Sequence, residues 1–497
     1  MSKQIRNLGV FLACCYAALF LQVNRLTIFQ ADELQDDPRN NRQVVRDFSR
    51  PRGTIETADG VVVAESVDSQ DQFKFQRTYP TGDLFAHVTG FFAFQLGSTG
   101  VEREYNSELA GRGLGFDLQE LDDLFVDRER VGNVTLSLRN DVQQIARDQL
   151  GQREGSVVAV DPRNGEIIAL WSLPSYDPNL LATHDFPAAE AASEALNADP
   201  EEPTRSRAYR EREFPGSTFK VVTATAGVER GGVTEDSPDY PVQSEYQAAG
   251  IGTPIGNFGG GSCGGTLFVI LQNSCNTAFA QMGVEQAQAP GMTATAEAYG
   301  FNQEVPIDLP DPVRSRWPTE VVTDNPPFLA QASIGQNEVQ STPLQMALVA
   351  AAVANDGKVM RPHVMREILD DQGDVVERYE PSTWTTPMSE ETSRLLREAM
   401  VSVVTDGTAQ RLDDEVEGDV VVGGKTGTAQ IGSDPPRSHA WIIGFAGPEG
   451  EVPHVAVAVL VEGQEGASEQ TGGRVAAPIA SAVLAAALAP PAAPAGG

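Results

Sequence analysis

The sequence predicts a mixed α/β (α+β) protein: an antiparallel sheet flanked by helices, held behind a single membrane-spanning helix. Three observations predict it. An apolar run follows Lys3 and Arg6 at the N-terminus. Three apolar runs, at 420–430, 439–445 and 454–461, are separated by turn residues and read as a three-stranded meander. Between these regions, segments that open on turn or capping residues and then turn apolar read as helices.

Taken in order, the N-terminal run from Leu8 to Val23 would span about 24 Å as helix, short of a hydrocarbon core of about 30 Å. Continued to Phe29 it reaches about 33 Å, with Arg25 snorkelling at the outer interface. Basic residues before the run and Asp32, Glu33, Asp36 and Asp37 after it predict that the N-terminus stays inside. Ala17-Ala18 comes too early for a cleavage site and no Ala-x-Ala ends the run, which favours an uncleaved signal anchor over a cleaved signal peptide. The expected organisation is a cytoplasmic 1–7, an anchor at 8–29, and the rest outside the cytoplasm in the cell membrane's outer compartment. Residues 30–149 read as a polar, strand-bearing pedestal without nucleophile or metal-ligand clusters, a spacer or docking surface. A helix capped by Asn140 or Asp141 leads into a second domain, 150–488. Residues 199–203 and 256–265 read as mobile loops near the site. An Ala-rich helix at 472–488 closes the domain, and 489–497 is a disordered Ala/Pro tail.

The formal charge is −33, from 36 Lys and Arg against 69 Asp and Glu, which excludes a nucleic-acid or anionic-membrane surface. It fits a solvation-demanding extracytoplasmic setting or ordinary solubility and lineage bias equally well. The isolated histidines lack metal-ligand spacing, so neither a metal nor another cofactor is expected; His439 and Trp441 read as structural or groove-lining.

Chemistry enters through three motifs in order: Ser217-Thr-Phe-Lys220, Ser274-Cys-Asn276 and Lys425-Thr426-Gly427. Only five lysines occur in the chain, and two of them lie in these motifs. A serine is a poor nucleophile until a neighbouring base takes its proton. Pro215-Gly216 reads as a turn, so Ser217 would open a helix through Lys220, with both side chains on one face. The helix N-terminus favours an alkoxide at Ser217. Lys220 can act as a base only if neutral, which needs desolvation or a second cation, and Lys425 is the obvious one. A Ser274 hydroxyl between the two could relay protons, and the Asn276 amide can bind a peptide backbone. Gly427 would leave room for a substrate strand against the Lys425 strand, whose lysine and hydroxyls would meet a carboxylate. Cys14 and Cys15 fall in the membrane segment. Cys263 and Cys275 lie outside, where an oxidising compartment makes a disulfide bracing the Ser274 loop the working hypothesis, two buried thiols being the alternative.

These motifs are those of penicillin-binding proteins and class A β-lactamases. With Arg52-Gly53-Thr54-Ile55, Gly100-Val-Glu-Arg-Glu-Tyr105, Ser333-Ile-Gly-Gln336 and Gly407-Thr408-Ala409, the chain resembles a class B penicillin-binding protein, most like the PbpA type of actinobacteria. The resemblance implies a penicillin-recognising serine transpeptidase fold, with an all-helical subdomain holding Ser274. It implies Ser217 as nucleophile, Lys220 as general base, Ser274 as relay and Asn276 as holder of the donor stem peptide. Lys425, Thr426 and Thr428 would grip the terminal carboxylate beside Gly427, and the N–H groups of Ser217 and Thr428 would form the oxyanion hole. The implied activity is peptidoglycan D,D-transpeptidation, with β-lactams trapping the acyl-enzyme, in cell division or cell-shape maintenance. Without a glycosyltransferase segment, a SEDS-type glycan polymerase and other cell-wall synthesis proteins are the implied partners. A D,D-carboxypeptidase, a β-lactamase or sensor, and a non-catalytic scaffold are the alternatives. The long pedestal and the lack of a Glu-x-x-Leu-Asn segment after Asn276 count against a β-lactamase.

Overall fold

The first 22-residue element, Lys3–Asn24, is a helix with every residue turned outward, long and apolar enough to cross a membrane. At 1.5 Å per residue it reaches about 33 Å, and it gains that length at its N-terminal end. The computed structural model describes residues 3–25, 48–112, 131–250, 252–433, 436–463 and 471–491. The anticipated continuation to Phe29, the acidic residues at 32–37 and all but the first three residues of the expected 489–497 tail lie outside the described residues.

In chain order the strands of the two main sheets are β1 (Ile55–Glu56), β2 (Val62–Asp68), β3 (Phe75–Thr78), β4 (Asn133–Leu136), β5 (Gly155–Val160), β6 (Ile167–Leu173), β7 (Met365–Leu369), β8 (Val375–Arg378), β9 (Val420–Ser433), β10 (Pro436–Pro448) and β11 (Val455–Val461). The first sheet has the order β8-β7-β4-β1-β2-β3, with β1 parallel to β4 and the other pairs antiparallel. The strands β7 and β8 come from far later in the chain than the others. Their return is fastened by Asp308, whose carboxylate accepts the N–H groups of Val364 and Met365 at 2.7 and 2.9 Å and the Tyr105 hydroxyl at 2.7 Å.

The second sheet, β9-β10-β11-β5-β6, is antiparallel throughout, and its first three strands are the meander read from the sequence. β11 is buried at every position, so both faces are covered, which is why its sequence is apolar throughout and does not alternate. The helices Asn140–Leu150 and Ala477–Leu488 pack together against this sheet, as do Pro343–Ala354 and Glu390–Thr405. β9 is left as an edge strand.

Two local expectations are corrected. The Asn140–Leu150 helix has Arg139, in extended conformation, as its N-cap residue, and neither Asn140 nor Asp141. Its orphan N–H groups are met from elsewhere: the Asp59 carboxylate accepts from Asn140 at 2.9 Å and Asp141 at 3.4 Å. Residues 199–203 do not border the reaction cleft. They lie instead beside His87, whose Nε2 is 2.9 Å from the Pro203 carbonyl.

Candidate active site

Ser217 stands on a 3₁₀ turn, Gly216–Phe219, that runs straight into the Lys220–Gly231 helix. The helix expected at Ser217 therefore begins with a tighter turn. Gly216 has φ +52°, and a side chain there would come within 2.7 Å of the Thr428 carbonyl, so only glycine lets this turn sit on β9. The reason given for Gly427 is corrected by the packing. The space its side chain would take is filled by the Pro215 carbonyl at 2.9 Å, Thr218 Cγ2 at 2.9 Å and Trp441 Cβ at 3.0 Å. Gly427 thus fits β9 to the Ser217 turn.

Ser274 lies in the helical insertion, between the helices Leu267–Gln272 and Asn276–Gln281, with φ +55°. A left-handed serine is uncommon and survives where its surroundings hold it. Here the Ser274 and Cys275 N–H groups bond back to Leu271 and Ile270 at 3.2 and 2.9 Å. Cys275 is also joined to Cys263 as a disulfide, with Cα atoms 5.5 Å apart.

The insertion and β9 bring the two lysines to the same hydroxyl. Lys220 Nζ donates to Ser274 Oγ at 3.2 Å, to the Ser274 carbonyl at 2.7 Å and to Asn276 Oδ1 at 2.6 Å. Lys425 Nζ donates to the same Ser274 Oγ at 2.8 Å and to the Thr426 carbonyl at 2.9 Å. Both lysines are fully buried, and among the described residues neither has a carboxylate partner. Burial, then the nearby Lys425 cation, pushes Lys220 well below the ordinary lysine value; burial pushes Lys425 down to about 7.

Above the lysines opens a cleft of about 1010 Å³ lined by Ser217, Ser274, Asn276, Thr426, Gly427 and Thr428 among others. Thr426 Oγ1 lies 2.7 Å from Thr408 Oγ1, and Asn276 Nδ2 donates to the Gly256 carbonyl at 2.9 Å. Every motif residue expected at the site is therefore either on the cleft wall or directly beneath it. Sequence reading did not assign a place there to Thr408, Gln336 or the 471–474 segment, all of which line the same cleft, whereas the 256–265 loop, expected near the site, does border it through Asn257 and its neighbours. Thr408 and Gln336 carried a signal as parts of recognised short motifs, and Asn257 only as part of the Gly-rich 256–265 loop. His439 and Trp441 are buried and do not line the cleft. His439 Nε2 sits 3.0 Å from Glu213 and its Nδ1 accepts from the Gly463 N–H at 3.1 Å, so it serves the framework.

A serine at a helix start, an amine-flanked hydroxyl and an open edge strand are the parts an acyl-transfer site requires. The penicillin binding protein transpeptidase domain matches residues 155–485, and the penicillin binding protein A dimerisation domain matches residues 52–134. The chain is 37% identical over 507 residues to the peptidoglycan D,D-transpeptidase PbpA of Mycolicibacterium smegmatis, covering 98% of this chain and 99% of that protein. It is 35% identical over 504 residues to the PbpA of Mycobacterium tuberculosis, covering 98% and 99%. The fold matches penicillin-binding protein A from M. tuberculosis, solved as a ceftriaxone acyl-enzyme complex, with TM-score 0.81 at 34% identity, covering 90% of this chain and 100% of that one. The chain belongs to the penicillin-binding protein transpeptidase family.

Proposed function

We propose that this protein is a peptidoglycan D,D-transpeptidase that links stem peptides through an acyl-enzyme on Ser217 and is acylated there by β-lactams. The observation that carries this reading is the Ser274 hydroxyl, bonded at once to two buried lysines that lack a carboxylate partner. Neutral Lys220 takes the proton of Ser217 as its oxygen attacks the carbonyl carbon of the penultimate D-Ala. The N–H groups of Ser217 and Thr428 hold the resulting oxyanion, a kind of contact typically worth about 2.7–4 kcal/mol. The C–N bond then breaks, and the leaving D-Ala amine receives the proton through Ser274. A stem-peptide amine, deprotonated in turn by Lys220, attacks the acyl carbon, and Ser217 leaves with its proton restored. Asn276 and the β9 edge hold the donor backbone, while Thr426, Thr428 and Lys425 receive its terminal carboxylate.

In the same reading 8–29 anchors the chain in the membrane with its N-terminus inside, supported by Lys3 and Arg6 in the first two turns of the apolar helix. Residues 30–149 are the pedestal, 150–488 the transpeptidase domain that lends β7 and β8 to the pedestal sheet, and 489–497 a tail. A separate SEDS-type glycan polymerase supplies the strands to be linked.

The test is intact-protein mass after exposure to benzylpenicillin, beside Ser217→Ala. One lasting adduct that vanishes in the variant is expected. No adduct would remove the reading, and an adduct lost within seconds would replace it with a β-lactamase.

A further inference from the structure

Outside the N-terminal helix, Phe258 is the one strongly exposed aromatic side chain among the described residues, at 68% exposure. It stands on the lip of the reaction cleft. A ring left in water beside a ligand cleft can gain burial when a ligand covers it.

The base of its loop is tied to the Ser274 segment. The Gly256 carbonyl accepts from the Asn276 amide, and Asn257 Oδ1 accepts from the Thr277 N–H at 3.1 Å. Asn257 Nδ2 donates to the Gln243 and Gly261 carbonyls at 2.9 and 3.0 Å, closing the loop on itself. Past the ring the tip is open. Gly259 and Gly260 have φ of +72° and +73°, and nothing beyond their chain neighbours lies within 4 Å of where their side chains would stand. The loop therefore presents its ring from a base tied on both sides, through a tip whose left-handed backbone glycine accommodates.

The direction of the donor places that ring. In the transpeptidase reading the donor's carboxylate end sits at Thr426 and its reacting carbonyl beside Ser217 and Thr428, so its N-terminal arm would leave in the opposite sense along β9, past Asn276 toward Gln430. Gln430 lines the same cleft, and Phe258 is two residues from the carbonyl that Asn276 holds.

We propose that Phe258 is a specificity-determining residue for the donor's arm, its ring closing over the apolar part of the group attached to the nitrogen of the penultimate residue. In a stem peptide that group is the aliphatic side chain preceding D-Ala-D-Ala; in a penicillin it is the acylamino substituent. The inference rests on the transpeptidase reading above and deepens it.

The test compares second-order acylation rates of the full chain in detergent with benzylpenicillin and with 6-aminopenicillanic acid, which has the same ring system and no acyl arm. In Phe258→Ala the ratio of the two rates is expected to fall about fivefold, the size of one lost aromatic contact. Phe258→Leu, which keeps an apolar body, is expected to recover most of it. A ratio unchanged in Phe258→Ala, whether both rates fall together or neither does, overturns the proposal, because the ring would then serve only the loop or nothing at the cleft. Failure of the unchanged chain to react with either compound would be a failure of the underlying reading, seen before any variant is made.

Discussion

The protein buries two clusters of cations and treats them in opposite ways. In the first sheet's half, Arg52 and Arg77 share Glu102, with Arg52 Nε 2.6 Å and Arg77 Nε 2.5 Å from its two carboxylate oxygens. Tyr79 donates to the same carboxylate at 3.2 Å, Arg52 reaches the Asn106 amide at 2.9 Å, and the Phe92 ring lies 4.2 Å from the Arg52 guanidinium. Burial pushes Glu102 up, but Arg77 and Arg52 overrule it and hold its carboxyl below the ordinary range. In the second half, Lys220 and Lys425 share a hydroxyl in place of a carboxylate, and burial acts on them unopposed. Arginine cannot shed its proton in a protein, so a buried arginine needs a counter-ion; lysine can, so a buried lysine without one becomes a base. The first arrangement makes a brace; in the proposed reaction the second supplies Lys220 as the base. That brace also joins Arg52-Gly53-Thr54-Ile55 to Gly100-Val-Glu-Arg-Glu-Tyr105, which the sequence shows only as separate motifs.

The sharpest way to break this contrast is to move the first cluster's kind of cation into the second. Lys220→Arg keeps a positive charge that cannot be given up, and benzylpenicillin acylation is expected to fall by about 10²–10⁴-fold, the usual worth of a positioned base. A rate within tenfold of the parent's, read from adduct mass against time, would show that Lys220 need not be neutral.

The reciprocal change is Glu102→Gln, which leaves two buried guanidinium groups without their charge partner. A loss of about 3–5 kcal/mol in denaturant unfolding is expected, with acylation by the folded protein unchanged. Equal stability with reduced acylation would mean the brace acts on the site and is not only structural.

The two clusters also answer to pH at opposite ends. Glu102 is depressed in the fold, so its contribution is full above the ordinary carboxylate range and is lost as pH falls through the depressed value. The lysines are depressed cations. Between about 7 and the ordinary lysine value the unfolded chain holds more protons than the fold, and stability rises with pH there. Acylation is expected to fall about tenfold per pH unit on the acid side and to level off well below 10.5. A rate still climbing at that value would place both lysines back among ordinary ammonium groups.

The smallest effect tests the seam between the two halves. Asp59→Ala removes the carboxylate that takes the first N–H groups of the Asn140–Leu150 helix, and about 1 kcal/mol of unfolding free energy should go with it. An unchanged midpoint would mean that water replaces Asp59 at no cost.

By itself the sequence determined the chemistry and the local elements. Ser217, Lys220, Ser274, Asn276 and Lys425 are legible because scarce residue types recur at short, fixed spacings. The β9–β11 meander is legible because apolar runs and turn residues act within a few positions of one another. Tertiary structure alone decided what those groups become. The partners at the Ser274 hydroxyl come from 54 and 151 positions away, so neither the shared hydroxyl nor the depressed lysines can be read from neighbours in the chain. The same holds for the cap that Asp59 supplies, for the strands β7 and β8 that complete a sheet begun far earlier, and for Gly427, whose missing side chain makes way for protein. Secondary structure and residue type are local properties, whereas a pKa, a hydrogen-bond partner and the space beside a glycine depend on whatever the fold brings alongside.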